Sequence, residues 1–260
     1  MKIVLIGAGN VGYHLGKKLR EIGEDVIFVF SRKWHNANKL ASLINAKPSI
    51  SLDQIPTYAD LYIIAVHDDA ILSTGEKLAA IGCRDKLVVH TAGATPISVF
   101  ENTGLERYGT FYPLQTFSFG KEPDFQKIPI CVDANEKADI DLLKKLALKI
   151  SPNVHHFNDE QKAQIHVAAV FVNNFTNHLF SIADQILHER NVPFNILLPL
   201  IEETVDKIKN NDPVKMQTGP AVRGDEATIK CHLNLIKSNA IYKKIYQLMT
   251  ESIQQSNTKN

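Results

Sequence analysis

The chain has 260 residues, enough for one large core or two of ordinary size, and its 29 Lys and Arg against 28 Asp and Glu give no global field to hold nucleic acid or an anionic membrane surface. No apolar run approaches the roughly 20 residues needed to cross a bilayer. Cys83, Cys131 and Cys231 are far apart, odd in number and form no CxxC, so neither a disulfide framework nor a metal site is indicated, and a folded cytoplasmic protein is expected.

The N-terminal "KIVLIGA" is a continuous apolar run that enters a glycine loop, which reads as a mature strand and not as the core of a signal peptide. "VGYHLGKKLREIG" then has helical periodicity, and "DVIFVFS", "DLYIIAV" and "KLVVHTA" are further short β-rich runs, with "ILSTGEKLAAIG" as a helix between the last two. Such alternation predicts an α/β, Rossmann-type doubly wound parallel sheet, whose strands are apolar on both faces because helices cover both. "GTFYPLQTF", "IPICVDA" and "VHHF" extend the sheet, and "NEKADIDLLKKLALKIS" precedes the last as a helix.

After Phe157 the pattern changes. From Asn158 to Asn191 there is no Gly or Pro, and Asn158 with Gln161 forms a capping-box pattern, so a long helix about 50 Å in length is expected to form the spine of an all-helical domain. "NILLPLIEETVDKIKNN" and "DEATIKCHLNLIKSNAIYKKIYQLMTESIQ" add helix, with Pro199 expected to kink or break the first, and the polar tail "QSNTKN" reads as frayed. The predicted domains are 1–157 and 158–260.

"GAGNVG" places Gly7, Gly9 and Gly12 in GxGxxG spacing, with Asn10 and Val11 between, directly after a strand and opening a helix. The first glycine permits the tight turn, the second lets backbone approach a pyrophosphate, and the third allows close helix-to-strand packing. About twenty residues on, where an NAD-binding fold places a carboxylate on the ribose hydroxyls, stand Ser31, Arg32 and Lys33. Asp25 cannot substitute, because it precedes the strand and lies at the opposite edge of the sheet. A guanidinium can clasp a 2′-phosphate with paired charge-assisted bonds and serine can add another, so NADP(H) is the expected cofactor; the alternative is that the two cations are merely solvated loop charges.

Ligands of open parallel sheets gather beyond the carboxyl ends of the strands. Ala65, Val66 and His67 end one predicted strand, Thr91, Ala92 and Gly93 follow His90 at the end of another, and "FYPL" ends a third. Small residues there leave room for ribose and nicotinamide, while Asp68 or Asp69 is expected to cap the following helix. His67 and His90 could bond cofactor or substrate, or be satisfied by backbone.

On the long helix, His166, Asn173 and Asn177 fall nearly on one line at about 100° per residue, with Asn174 roughly 80° away. Because "AAVFV" around them is apolar, the helix is expected to be largely buried, and its polar stripe either joins a structural network or holds a substrate in a cleft. "TGPAVRGDEATIKCH" places Arg223 before Asp225, a predicted N-cap: either an anion site or an ion pair that organises the loop.

With the glycine motif, the basic strand end, "HTAG", "FYPLQTFS", "HVAAVFVNNF" and "TGPAVRGD", the whole chain resembles a family of predicted NADP oxidoreductases that join a Rossmann-like N-terminal domain to a helical C-terminal domain of unknown function, similar to that of 6-phosphogluconate dehydrogenase. Pyrroline-carboxylate reductase, ketopantoate reductase, hydroxyisobutyrate dehydrogenase and prephenate dehydrogenase are related. The resemblance implies hydride transfer between NADPH and the C=O or C=N group of a small, anionic substrate, and a homodimer joined through the helical domain. It also departs from the hydroxyacid dehydrogenases, whose long helix opens with glycines, a lysine and, four residues on, an asparagine. Here Lys162 is followed at that spacing by His166, which becomes the better proton donor because imidazole titrates near neutrality. Asn173 and Asn174 are then expected to orient the substrate and Arg223 to clamp its anionic group. Two alternatives stand beside this: a non-catalytic NADP(H)-binding redox sensor, and hydride exchange with a deazaflavin coenzyme.

Overall fold

In the computed structural model the described residues are 1–257, and they separate into two compact units, Met1–Asn173 and the segment from Asn174 onward. The first unit is built on β1 (Lys2–Ile6), β2 (Asp25–Phe30), β3 (Lys47–Ser49), β4 (Leu61–Ile64), β5 (Leu87–His90), β6 (Arg107–Pro113), β7 (Ile130–Ala134) and β8 (Val154–His156). They form a single sheet in the order β3-β2-β1-β4-β5-β6-β7-β8. The change of direction between β1 and β4 is the switch point at which the β1 and β4 loops diverge and leave a crevice.

Alternate residues of each central strand feed opposite faces, as the strand repeat of two demands. Ile3 and Leu5 pack with α1 (Asn10–Glu21), α2 (Trp34–Ile44) and α4 (Lys137–Ile150) through Leu15, Leu40 and Leu143, whereas Val4 and Ile6 pack with α3 (Ile71–Ala80) through Ile71 and Leu78. Burial on both sides explains why these strands read as solid apolar runs. The sheet is parallel except for β6 and β7, which run antiparallel with Phe111 opposite Val132. No α-helix lies between β6 and β7, so the connection reverses the chain instead of carrying it over the sheet.

Glu24 fixes the amino-terminal edge of this unit. It is buried, and its two carboxylate oxygens accept from Lys149 Nζ and from the N-terminal ammonium, each at 2.6 Å. Burial alone would raise its pKa, but the hydrogen bonds from Lys149 and the ammonium outweigh it and hold the carboxyl below its ordinary range. A depressed folded-state pKa gives stabilisation that is present above the unfolded carboxylate pKa and lost as pH falls through the folded one. Glu24→Gln is therefore expected to cost about 1–2 kcal/mol at pH 7, reduced by the solvent exposure of Lys149, and progressively less below pH ~4. Urea melts of both proteins at pH 7 and pH 3 measure the difference.

The predicted long helix is interrupted in its pitch. It comprises α5 (Asp159–Ala169), a π-helical segment Val170–Phe175, and α6 (Thr176–His188). Asn158 caps α5 in the capping box read from sequence, its side chain accepting from Gln161 N–H while Gln161 accepts from Asn158 N–H. The second unit continues with α7 (Leu198–Asn210), α8 (Pro220–Arg223), α9 (Glu226–Leu235) and α10 (Ala240–Asn257). The segment predicted as one helix changes from a 3-10 turn, Phe194–Leu197, to α7 immediately before Pro199, which lies in the first turn of α7, where its missing N–H has no intrahelical partner to lose.

Candidate active site

Gly7 adopts φ +112° and its N–H donates to the Phe30 carbonyl at 2.8 Å, while Ala65 N–H donates to the Ile6 carbonyl at 2.7 Å. A Cβ on Gly7 would lie 2.1 Å from the Ala65 oxygen, and one on Gly12 would lie 2.0 Å from the Gly7 oxygen. Both positions therefore exclude any side chain. At Gly9, by contrast, a Cβ would meet nothing within 4 Å. Gly9 precedes Asn10 and Val11 at the start of α1, whose first turn contains no acidic residue. The turn and the helix packing thus consume two glycines, and the third faces open space before a positive helix end, the arrangement that a pyrophosphate fits.

Ser31, Arg32 and Lys33 follow β2 and lead into α2, with Lys33 at its N-cap. Ser31 is buried and tied to the sheet through its N–H to the Ser49 carbonyl, and its hydroxyl accepts weakly from Lys33 N–H at 3.4 Å. Arg32 and Lys33 are exposed. No side chain caps α2 and no acidic residue occupies its first turn, so two exposed cations and an open helix N-terminus stand at the end of β2, where an adenine-ribose 2′-phosphate would lie. The residues present fit NADP.

The remaining strand ends lie along the same carboxyl edge. Thr91 N–H donates to the Ile64 carbonyl at 3.0 Å, which ties the end of β5 to the end of β4 beside Ala65 and Val66. His67 is exposed and precedes a 3-10 turn, Asp68–Ala70. Asp68 and Asp69 do not cap α3, contrary to the expectation from sequence, because they occupy that turn and Ala70 is the N-cap residue; Asp68 instead accepts from the Thr95 hydroxyl at 3.2 Å. His90 is fully buried, with Nδ1 accepting from Ala92 N–H at 3.2 Å; burial and then the charge of Lys162 drive its pKa down to about 3, so it is a neutral support for the loop.

Gly93 brings two strands and α5 to one point. A Cβ there would lie 2.4 Å from His166 Nδ1 and 2.8 Å from the Tyr112 hydroxyl, so the imidazole and phenol rest directly on the glycine. Tyr112 Oη and His166 Nδ1 are 3.4 Å apart, with the rings edge to face. Burial, with smaller contributions from Cys131 and Asp68, pushes the Tyr112 pKa up to about 12, so its hydroxyl keeps its proton. Tyr112 lies within "FYPL", where its residue type alone marks no role. The usable signal was its place two residues beyond Thr110, the β6 partner of His90.

Lys162, one turn before His166, is 1% exposed. Its ammonium donates to the Thr95 carbonyl at 2.6 Å and pairs with Asp159 Oδ1 at 3.3 Å, and both Asp159 oxygens accept from Ile97 N–H. Burial lowers its pKa, with Asp159 opposing the shift. Lys162 thereby locks the 91–97 loop to α5 and sets the position of His166 above Gly93.

The other predicted residues are placed differently. Asn173 and Asn174 lie in the π-helical segment and are exposed. A π turn holds an extra residue, so the line drawn through His166, Asn173 and Asn177 at constant α-helical pitch does not carry across it. Nor is the helix largely buried: Val167, Phe171, Val172 and Phe175 are 57%, 63%, 75% and 51% exposed in the single chain. Arg223 ends α8 within the second unit, and Asp225 caps α9 by accepting from Thr228 N–H at 3.0 Å, as predicted. The Asp225 carboxyl is held below its ordinary range first by Thr228 and only secondarily by Arg223.

Comparison with a Bacteroides fragilis protein provisionally assigned as an NADP oxidoreductase gives 38% identity over 98% of each chain and a TM-score of 0.91. The chain belongs to this NADP oxidoreductase family. Its residues 2–93 match the family described as NADP oxidoreductase, coenzyme F420-dependent, and residues 128–253 match a domain of unknown function. An imine reductase from Myxococcus stipitatus, solved with NADP+, shares the fold at 15% identity and TM-score 0.65, covering 100% of this chain and 95% of that one. Pyrroline carboxylate reductase from Plasmodium falciparum, solved with NADP bound, does so at 12% identity and TM-score 0.62, covering 99% and 98%. No curated protein matches the chain. This oxidoreductase thus has NADP as its cofactor, and among the described residues it has no helix long and apolar enough to cross a membrane.

Proposed function

We propose that the protein transfers hydride between NADPH and the C=O or C=N group of a small, anionic substrate, with His166 as general acid in reduction and general base in oxidation. The observation that carries this reading is the imidazole seated on Gly93 against Tyr112, at the carboxyl edge of the sheet that also carries the glycine loop and Arg32. Bound NADPH supplies the hydride; the chain's own residues orient the reactants and move the proton. Lys162 is less suited to that role because its ammonium is buried and already engaged by Thr95 and Asp159.

We also propose a homodimer, supported by the exposure of Val167 and Val172 on the long helix and by an apolar groove of about 340 Å³ in the helical unit, lined by Ile182, Ile186, Tyr246 and Met249 among others. A cytoplasmic setting agrees with three free cysteines.

The test is NADPH oxidation across a panel of small keto acids and cyclic imines, with the oxidised deazaflavin as a separate anaerobic acceptor. Turnover with an anionic carbonyl or imine is expected. Tight NADPH binding without turnover on the panel would favour a redox sensor, and hydride transfer to the deazaflavin alone would move the function to coenzyme exchange.

A further inference from the structure

We infer that Tyr112 is a positioning residue that keeps the His166 ring protonated at Nδ1, so that Nε2 is the nitrogen that exchanges a proton with substrate. The inference rests on the proposed acid–base role of His166 and adds to it the group that selects the reacting atom. Among the described residues Tyr112 is the hydrogen-bond partner of the imidazole, and it meets Nδ1, not Nε2. Gly93 packs against the same nitrogen so closely that not even a Cβ would fit between them. A long contact of 3.4 Å without substrate is ordinary for a catalytic hydrogen bond that tightens in the reacting complex.

The proton balance fixes the direction of the bond. As the C=O or C=N carbon gains hydride, its oxygen or nitrogen must gain a proton. An imidazolium gives that proton from Nε2: the Nε2–H bond breaks, the new O–H or N–H bond forms, and the ring is left neutral with its remaining proton on Nδ1. A phenol that stays protonated can accept from Nδ1–H before and after this transfer, whereas a phenolate or a carboxylate would compete for the proton. The titratable and charged groups around the pair are Lys162 on α5, Asp68 beyond β4 and Cys131 opposite Tyr112 on β7. Lys162 is matched by Asp159, and burial keeps the Cys131 thiol neutral by raising its pKa to about 11. The Tyr112 oxygen is thus the acceptor through which the fold holds the imidazolium.

Long-range 15N–1H NMR of the histidine rings, in the protein without cofactor, tests this directly. The neutral His166 ring is expected as the Nδ1–H tautomer, the less common form of a free imidazole. In Tyr112→Phe the neutral ring is expected to revert to Nε2–H. With a substrate from the panel, the alkaline limb of kcat/KM for reduction should move to lower pH in this variant while the Kd for NADPH stays within about twofold. An Nε2–H tautomer in the wild type, or an Nδ1–H tautomer retained in a folded Tyr112→Phe, would overturn the inference. Should that variant fail to fold, the wild-type tautomer decides alone. A fully active His166→Ala would instead sink the acid–base reading and leave the tautomer result standing, so the two failures are distinguishable.

Discussion

Replacement of His166 by alanine is expected to lower kcat for carbonyl or imine reduction by about 10²–10⁴-fold, the range that a positioned general acid contributes. The Kd for NADPH should change by no more than about twofold. The split follows from where the residue sits. His166 is on α5, a turn beyond the Lys162–Asp159 lock, and its contacts are Gly93 and Tyr112, not the glycine loop or the cationic segment after β2. Removing the ring opens space over Gly93 but leaves Gly7, Gly9, Gly12 and Arg32 where they are. Stopped-flow measurement of NADPH oxidation beside fluorescence titration of NADPH separates the two effects. Equal losses in turnover and cofactor binding would show a structural role and refute the assignment.

The second large effect is expected at Arg32 and Lys33. The double alanine variant should weaken NADPH binding by about 10–100-fold, the worth of one or two charge-assisted hydrogen bonds at an exposed site, and leave NADH binding nearly unchanged. Both side chains are exposed, so their replacement should disturb the fold little, and the loss should shrink as salt is raised. Ser31, beside these two cations, is a less clean probe because it is buried and its backbone pairs with Ser49.

The nucleotide half was legible because its physics is local. Each buried strand is a short apolar run, the glycine spacing answers to contacts of about one bond length's tolerance, and the ribose-reading position lies at a fixed chain distance from the loop. Gly7 and Gly12 illustrate this: backbone oxygens close in on both, and the sequence reports it as the absence of a side chain. What was not legible depends on chain elements distant in sequence or on geometry that no residue type marks. β3 is three residues long and held by pairing to β2, and the reversal at β7 depends on the route of the preceding connection. The π segment has no Gly or Pro to announce it, so a constant-pitch reading of Asn173 and Asn177 overshoots. Apolar content in "AAVFV" points to burial within one chain, whereas Phe171 and Val172 are exposed and Ala169 and Val170 only half-buried, and apolarity by itself does not say what packs against it.

Tyr112 was missed for a related reason. A tyrosine on a central strand is usually core, and only the meeting of β6 with α5 over Gly93 distinguishes it. His166 was reached from helix position and imidazole chemistry, but its partner lies on another element far back in the chain. The same holds for the buried Lys162, whose fixed contact with the Thr95 carbonyl turns a candidate acid into a clamp.

Direct titration of the wild-type protein with NADPH and with NADH, under identical low-salt conditions, bears most closely on the electrostatic reading of the β2 edge. Tighter binding of NADPH by at least about tenfold is predicted from the Arg32 and Lys33 cations at the open end of α2. Equal affinity for the two coenzymes would contradict it.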